Sequence, residues 1–329
     1  MIGTASEPPS EPPLLDWSRR LARFGLVRFG SPGAERPGVV VPPTDEADAR
    51  GPLRPGHTAL DVSAFVPDYD EAFFAADGVA RLRARLEAEP HAGSRLDLAT
   101  ERLGPPVARP SKLLAIGLNY RAHAEEMGSD LPDDPKLFMK ATTAISGIGD
   151  PLVLPPGSSQ VDYEVELSLV IGKRTPRGGV STDAAAAHIA GYTVCNDYSE
   201  RDWQKNRHGQ FVKGKSADGF APLGPVLVPA SALDPKNLRL WLSLNGELRQ
   251  EARTSEMIFG AAELVAAVSR YMTLLPGDII TTGTPSGVCM GRIPTRYLQP
   301  GDELEYGIEG IGAGRQLIVA DGGPAPPVD

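Results

Sequence analysis

The chain has 329 residues, of which 41% are hydrophobic and 23% charged, and carries a net charge of -9 at neutral pH. That length allows one large or two modest domains, and the acidic balance argues against nucleic acid as a partner, because phosphate recognition needs a basic surface. Two cysteines, Cys195 and Cys289, offer neither a disulfide framework nor zinc-site spacing. With no apolar run long enough to span a bilayer, the expected setting is a reducing cytoplasm.

Residues 1–16 are rich in Pro, Glu and Ser and lack an apolar h-region, so a flexible tail is expected rather than a signal peptide. Leu26–Phe29 and Gly38–Val41 read as short strands around a turn at Ser31-Pro32-Gly33, and Thr58–Val62 as another strand. Val79–Glu89, with Leu82 and Leu86 four apart, reads as an amphipathic helix. The proline-rich stretch 101–112 reads as a linker, which makes residues 17–110 a small N-terminal domain with its linker. Residues 111–329 then form the main domain, opening with a strand at Leu113–Gly117. Asp183–Ala190 is alanine-rich and reads as helix. Leu238–Leu244 alternates as a strand and turns at Asn245-Gly246, a strong hairpin dipeptide. Ala261–Tyr271 reads as a helix. The Pro-Gly-Asp turns at 276–278 and 300–302 each precede a strand. The 36 glycines and 32 prolines fit a mainly β, turn-rich protein.

The chemistry concentrates in one apolar run, Val161–Ile171, which reads as a strand. Side chains two apart share a face of a strand, so Glu164 and Glu166 point together, with Asp162 near the same line. Close carboxylates repel, and a divalent cation relieves both the repulsion and the cost of burial. Oxygen ligands favour Mg²⁺ or Mn²⁺, with Ca²⁺ also admissible, over zinc. A half-exposed strand with a solvated acidic face would show the same pattern. Tyr192–Cys195 reads as a strand ending in Asn196-Asp197, which places a third carboxylate at a strand end. Arg201 and Gln204 follow at near-helical spacing and suit the carboxylate or keto oxygen of a ligand. A salt bridge at a helix start is the alternative. Lys215 sits among small residues in Lys213-Gly214-Lys215-Ser216, where it can approach a buried ligand or remain a solvated loop lysine. Gly283-Thr284-Pro285-Ser286-Gly287 is a loop of backbone donors and hydroxyls. In Asn119–Glu126, Glu126 lies three residues after His123, so one helical turn brings a carboxylate to the imidazole and favours a general base. An exposed helical pair would look alike.

In this order the segments resemble the fumarylacetoacetate hydrolase (FAH) superfamily over about 113–312. The motifs are Gly117-Leu118-Asn119-Tyr120 with His123 and Glu126, Leu137-Phe138-Met139-Lys140, Asp162–Leu167, Asn196-Asp197 through Gln204, Lys213–Ser216 and Thr282-Gly283-Thr284-Pro285. Residues 24–65 are similar to the short N-terminal domain of the longer bacterial branch, which includes 2,4-diketo-3-deoxy-sugar-acid hydrolases and FAH-domain-2-like proteins. The resemblance implies an α+β, mainly β fold, a mixed β-sandwich roll, and a homodimer. It implies Mg²⁺ or Mn²⁺ held by Glu164, Glu166 and Asp197, with Asp162 supporting them from behind. His123 and Glu126 become an acid/base dyad on a short helix that orders as a lid. Lys215 supports the developing anion, and Arg201, Gln204, Thr284 and Lys140 surround a small keto-acid substrate. The implied activity is hydrolysis of a C–C bond in acylpyruvate-like or 2,4-diketo acids. Decarboxylation of an oxaloacetate-like acid, isomerisation or hydration on the same enolate chemistry are the alternatives, and a non-catalytic ligand-binding relative is a further one. Where relatives carry a second proline and glycine after the Gly-Thr-Pro turn, this chain has Ser286–Gly291 with Cys289.

Overall fold

A computed structural model describes residues 24–41, 58–89, 92–98 and 100–322. The expected N-terminal tail lies outside the described residues. In chain order the strands and helices are β1 (Gly25–Phe29), β2 (Arg36–Val41), β3 (Thr58–Asp61), α1 (Glu71–Ala75), α2 (Gly78–Ala88), β4 (Ser94–Leu96), β5 (Leu103–Gly104), β6 (Leu113–Gly117), α3 (Arg121–Glu126) and β7 (Lys136–Lys140). There follow β8 (Ile145–Gly147), β9 (Leu152–Val153), β10 (Val161–Asp162), β11 (Val165–Ile171), α4 (Thr182–Ala185), β12 (Ile189–Asn196), β13 (Ser199–Glu200), α5 (Arg201–Lys205) and α6 (Phe211–Lys215). The chain closes with β14 (Ala221–Pro229), β15 (Arg239–Leu244), β16 (Glu247–Arg253), α7 (Ala261–Tyr271), β17 (Ile279–Thr281), β18 (Glu303–Ile308) and β19 (Gly312–Val319).

The fold is α+β and mainly β. One mixed sheet runs β4-β3-β2-β1-β14-β12-β11-β17-β6-β7, with β5 on β1 and β8 on β14. The N-terminal strands join it through β1, whose Leu26 pairs with Leu227 of β14. A second sheet, β16-β15-β18-β19-β9, packs its β15 and β18 against β11. β11 and β14 are buried at every position, and β12 at all but Ala190. Their near-continuous apolar sequences follow from being covered on both faces. β15 alternates buried and more exposed positions, because only one of its faces meets the core. No helix among the described residues is long and apolar enough to cross a membrane.

Two sequence expectations change. The run from Val161 to Ile171 is two strands: β10 pairs with β13 and β11 pairs with β12. The break has a local cause. The Asp162 carboxylate accepts from the next residue's N–H, Tyr163 (2.9 Å), and Glu164 N–H donates to the Asn196 side chain (2.8 Å). Side-chain acceptors thus replace ladder partners across Tyr163-Glu164. The alanine-rich helix also ends early. α4 stops at Ala185, a 3-10 turn spans Ala186–His188, and Ile189 already begins β12.

This topology makes one rim. β6 and β17 run parallel, so the loops after both emerge on the same side. β11 is antiparallel to β17 and therefore starts there, while β12, antiparallel to β11, ends there. Four chain segments thus deliver residues 117–126, 164–166, 196–201 and 282–287 to a common place.

Candidate active site

Each segment is fixed by its own bonds. After β6 the chain turns through Leu118, which has a positive φ of 56°. The wholly buried Asn119 then pins the turn. Its amide donates to the carbonyls of Thr282 (2.8 Å) and Phe259 (3.0 Å), and its oxygen accepts from Phe259 N–H (2.8 Å). Gly283, at φ 94°, crosses close to this side chain, and a Cβ there would lie 2.8 Å from the Asn119 Cβ. Only glycine satisfies both the backbone angle and the approach. Gly214 plays the same part where α6 meets α5: an added Cβ would sit 2.5 Å from the Glu200 carbonyl oxygen and 2.6 Å from Gln204 N. That contact seats Lys215 behind Arg201 and Gln204.

The structure brings carboxylate oxygens of Glu164, Glu166 and Asp197 within 4.8 Å of one another, all three residues buried. Lys215 Nζ bridges two of them, donating to Glu164 Oε2 (2.5 Å) and Asp197 Oδ2 (2.7 Å). Lys140 Nζ donates to the other Asp197 oxygen and to the Tyr198 carbonyl (3.3 Å). Arg201 fans across the rest: Nε to Asp162 Oδ2 (2.9 Å), Nη2 to Glu164 Oε1 (2.7 Å) and Nη1 to Gln204 Oε1 (3.1 Å). Glu166 Oε2 accepts from the Thr281 hydroxyl and from Gly283 N–H (2.8 Å). Asp162 also accepts from Cys289 N–H (2.7 Å) and Met290 N–H (3.2 Å). It therefore sets the Arg201 plane and anchors the loop carrying Cys289.

The electrostatics divide the carboxylates. Burial alone would raise the Glu164 carboxyl, but the Lys215 ammonium and the Arg201 guanidinium override it and hold it at about 2. Glu166 moves the opposite way, well above the usual carboxylate range, because burial is reinforced by the charges of Asp197 and Glu164. Burial also lowers the Lys140 ammonium despite its bond to Asp197. Burial works against the Lys215 ammonium too, yet Asp197 and Glu164 raise it. Four buried carboxylates (Asp162, Glu164, Glu166, Asp197) face three buried cations (Lys140, Arg201, Lys215), so the fully ionised cluster is one negative charge in excess. Three hard oxygen donors in that excess suit one divalent cation.

Above this floor lies a cavity of about 280 Å³ lined by Glu164, Glu166, Arg201, Gln204, Lys215 and Thr284, with His123 on one wall. His123 Nδ1 lies 3.0 Å from Glu126 Oε2, and Glu126 Oε1 accepts from Gly287 N–H (2.9 Å). The carboxylate can only accept, so Nδ1 carries the hydrogen and Nε2 is the basic nitrogen. Thr284 reaches the lining, but its hydroxyl donates to the Val165 carbonyl (3.0 Å) and accepts from Gln250 (2.8 Å). Lys140 is wholly buried against Asp197. Gln250 is a residue that sequence reading passed over. Its amide holds Thr284 and the Pro285 carbonyl (2.9 Å), and its oxygen accepts from Val165 N–H (3.0 Å). It lies on β16 of the second sheet, and no local pattern marks it.

A mainly β framework that gathers hard oxygen donors and a histidine–carboxylate pair at one rim defines a class of enzyme-like fold rather than a single activity. The comparisons make the class specific. Residues 112–319 match the family model described as Fumarylacetoacetate (FAA) hydrolase C-terminal. A Burkholderia multivorans relative, whose name states no substrate, is 44% identical over 304 residues, covering 90% of this chain and 99% of its own. Among solved structures, 5-carboxymethyl-2-hydroxymuconate delta-isomerase from Mycobacterium smegmatis is 35% identical with a TM-score of 0.67, covering 91% of this chain and 98% of its own. Maleylpyruvate hydrolase from Sphingobium sp. SYK-6, solved with manganese(II) and pyruvate, is 28% identical with a TM-score of 0.70, covering 91% and 99%. The chain belongs to the fumarylacetoacetate hydrolase superfamily.

Proposed function

We propose that this protein is a divalent-metal-dependent hydrolase that cleaves a C–C bond in acylpyruvate-like or 2,4-diketo acids. The observation that carries the reading is the buried Glu164–Glu166–Asp197 cluster beneath a cavity walled by the His123–Glu126 pair. The solved relative holding manganese and pyruvate supports Mn²⁺ or Mg²⁺. Bound by these three carboxylates, such an ion supplies Lewis-acid stabilisation to the enolate that leaves when the bond breaks.

The chain's own groups account for the rest. Glu126 fixes the imidazole so that His123 Nε2 takes a proton from water. That water's oxygen adds to the distal carbonyl carbon. The bond from that carbon to the pyruvate methylene then breaks, its electron pair leaving on the pyruvate side. Return of the proton to the methylene gives pyruvate and a carboxylic acid. Lys215 places a positive charge where the anion grows, and Gln204, oriented by Arg201, lines the cavity beside it.

Relatives named as isomerases, at 35% and 33% identity, favour a second reading in which the same dyad moves a proton without water attack. The test is a panel of acylpyruvates and enol dienoates with the manganese-loaded protein, reading pyruvate release against a change in absorbance alone. Glu164→Gln should abolish manganese binding and turnover while the protein stays folded. Full activity in that variant would end the proposal.

A further inference from the structure

α3 carries both members of the dyad, yet little within the helix holds it in place. It is six residues long, and Tyr120 before it supplies no side-chain cap. A helix that short is not stable by itself, so its stance depends on what its side chains meet. Glu126 meets the loop 286–292. Its Oε1 accepts from Gly287 N–H (2.9 Å), while its Oε2 faces His123 Nδ1 (3.0 Å). Gly291 lies flush against the same carboxylate: a Cβ there would stand 2.4 Å from Glu126 Cδ and Oε1. The carboxylate is thus seated between a backbone donor and a bare Cα, with its two oxygens divided between the loop and the imidazole.

The loop is itself pinned from outside. The Gly287 carbonyl accepts from the Tyr163 hydroxyl (3.1 Å) and from Arg292 Nε (3.3 Å). Arg292 Nη2 donates to the Arg249 carbonyl on β16 (2.8 Å). No carboxylate pairs with this half-buried guanidinium among the described residues. Its planar fork bridges two main-chain carbonyls from separate segments instead. A continuous series of contacts therefore runs from β16 through Arg292 and Gly287 to Glu126 and His123.

We propose that Arg292 is a positioning residue for the dyad. By tying the Gly287 peptide to the second sheet it keeps the seat for Glu126 in place, and so fixes the His123 tautomer and the stance of α3 at the cavity wall. The inference rests on the dyad reading of His123 and Glu126.

The test needs no substrate. Magnesium-loaded wild-type and Arg292→Met proteins are compared by imidazole nitrogen NMR at mildly alkaline pH and by amide hydrogen exchange, with His123→Gln identifying the His123 signals. Wild-type His123 should show one tautomer, with its hydrogen on Nδ1. Arg292→Met, similar in length but without donors, should show both tautomers. Amides of residues 118–128 should exchange about tenfold faster, the scale of one lost charge-assisted bond, while those of β11, β12 and α7 exchange as in wild type. Gly291→Ala crowds Glu126 and leaves the Arg292 bonds in place. It should give the same mixture, and it carries the test if Arg292→Met does not fold. An unaltered tautomer in either variant, or acceleration spread evenly over the chain, would overturn the assignment to Arg292. Mixed tautomers in the wild type would overturn the dyad reading and this inference with it. No turnover of any acylpyruvate, alongside the expected tautomers, would end the hydrolase reading and leave the role of Arg292 standing.

Discussion

Replacing Lys140 with methionine tests the charge logic of the floor most directly. The side chain is 2% exposed, and its ammonium is held by Asp197 and the Tyr198 carbonyl. Methionine nearly matches its volume, so the change is one of charge. Removing one partner of a buried pair costs roughly 3–5 kcal/mol, because the other charge is left uncompensated. Two features set the cost near the lower limit. Burial already disfavours this ammonium, and Asp197 keeps its bond to Lys215 at 2.7 Å. A destabilisation of about 3 kcal/mol is expected in metal-free protein. The cluster then holds four carboxylates against two cations, so the deficit should grow with pH as proton uptake stops offsetting it. Saturating manganese should narrow it, since a divalent ion takes over the neutralisation. Urea unfolding in EDTA and in manganese, followed by tryptophan fluorescence, measures both. A cost below about 1 kcal/mol in EDTA, the range of an exposed pair, would refute the account of an electrostatically tight floor.

The remaining predictions concern the dyad and a distant turn. Glu126→Gln keeps an acceptor for Gly287 N–H but removes the charge facing His123. It should lower kcat by about a hundredfold, the usual scale of general acid–base catalysis, with manganese affinity little changed in a direct titration. In the turn before β18, burial alone would raise the Asp302 carboxyl, but Arg296, Asn245 and the Gln299 N–H hold it below the ordinary range. A depressed carboxyl stabilises the fold above its unfolded value and loses that contribution as pH falls through its folded value. Asp302→Asn should therefore cost about 1 kcal/mol at neutral pH. The difference from wild type should vanish in strong acid, as read from melting curves at a series of pH values.

Much of the site was readable because its donors lie in short, locally patterned segments. Glu164 and Glu166 were seen as a pair through the two-residue period, although Glu164 itself lies in the break between β10 and β11. Asp162 caused that break by bonding to its neighbour's backbone, a local competition that apolar content cannot reveal. His123 and Glu126 were found by helical spacing. Gln250 was not found, since its partners Val165 and Thr284 are 85 and 34 residues away and its strand belongs to the other sheet.

The rim where four strand ends meet separates two kinds of residue. The clustered carboxylates stand on or beside β11 and β12, which are buried at every position but Ala190, and any shift there disturbs the whole sheet. The mouth is supplied by Met127, Lys136, Lys205 and Phe211, from a helix end, an edge strand and two short helices that adjoin solvent. Substitutions at the mouth can redirect which molecules are accepted while the reacting centre stays as it is. One scaffold of this kind can diversify its diet without relearning its chemistry.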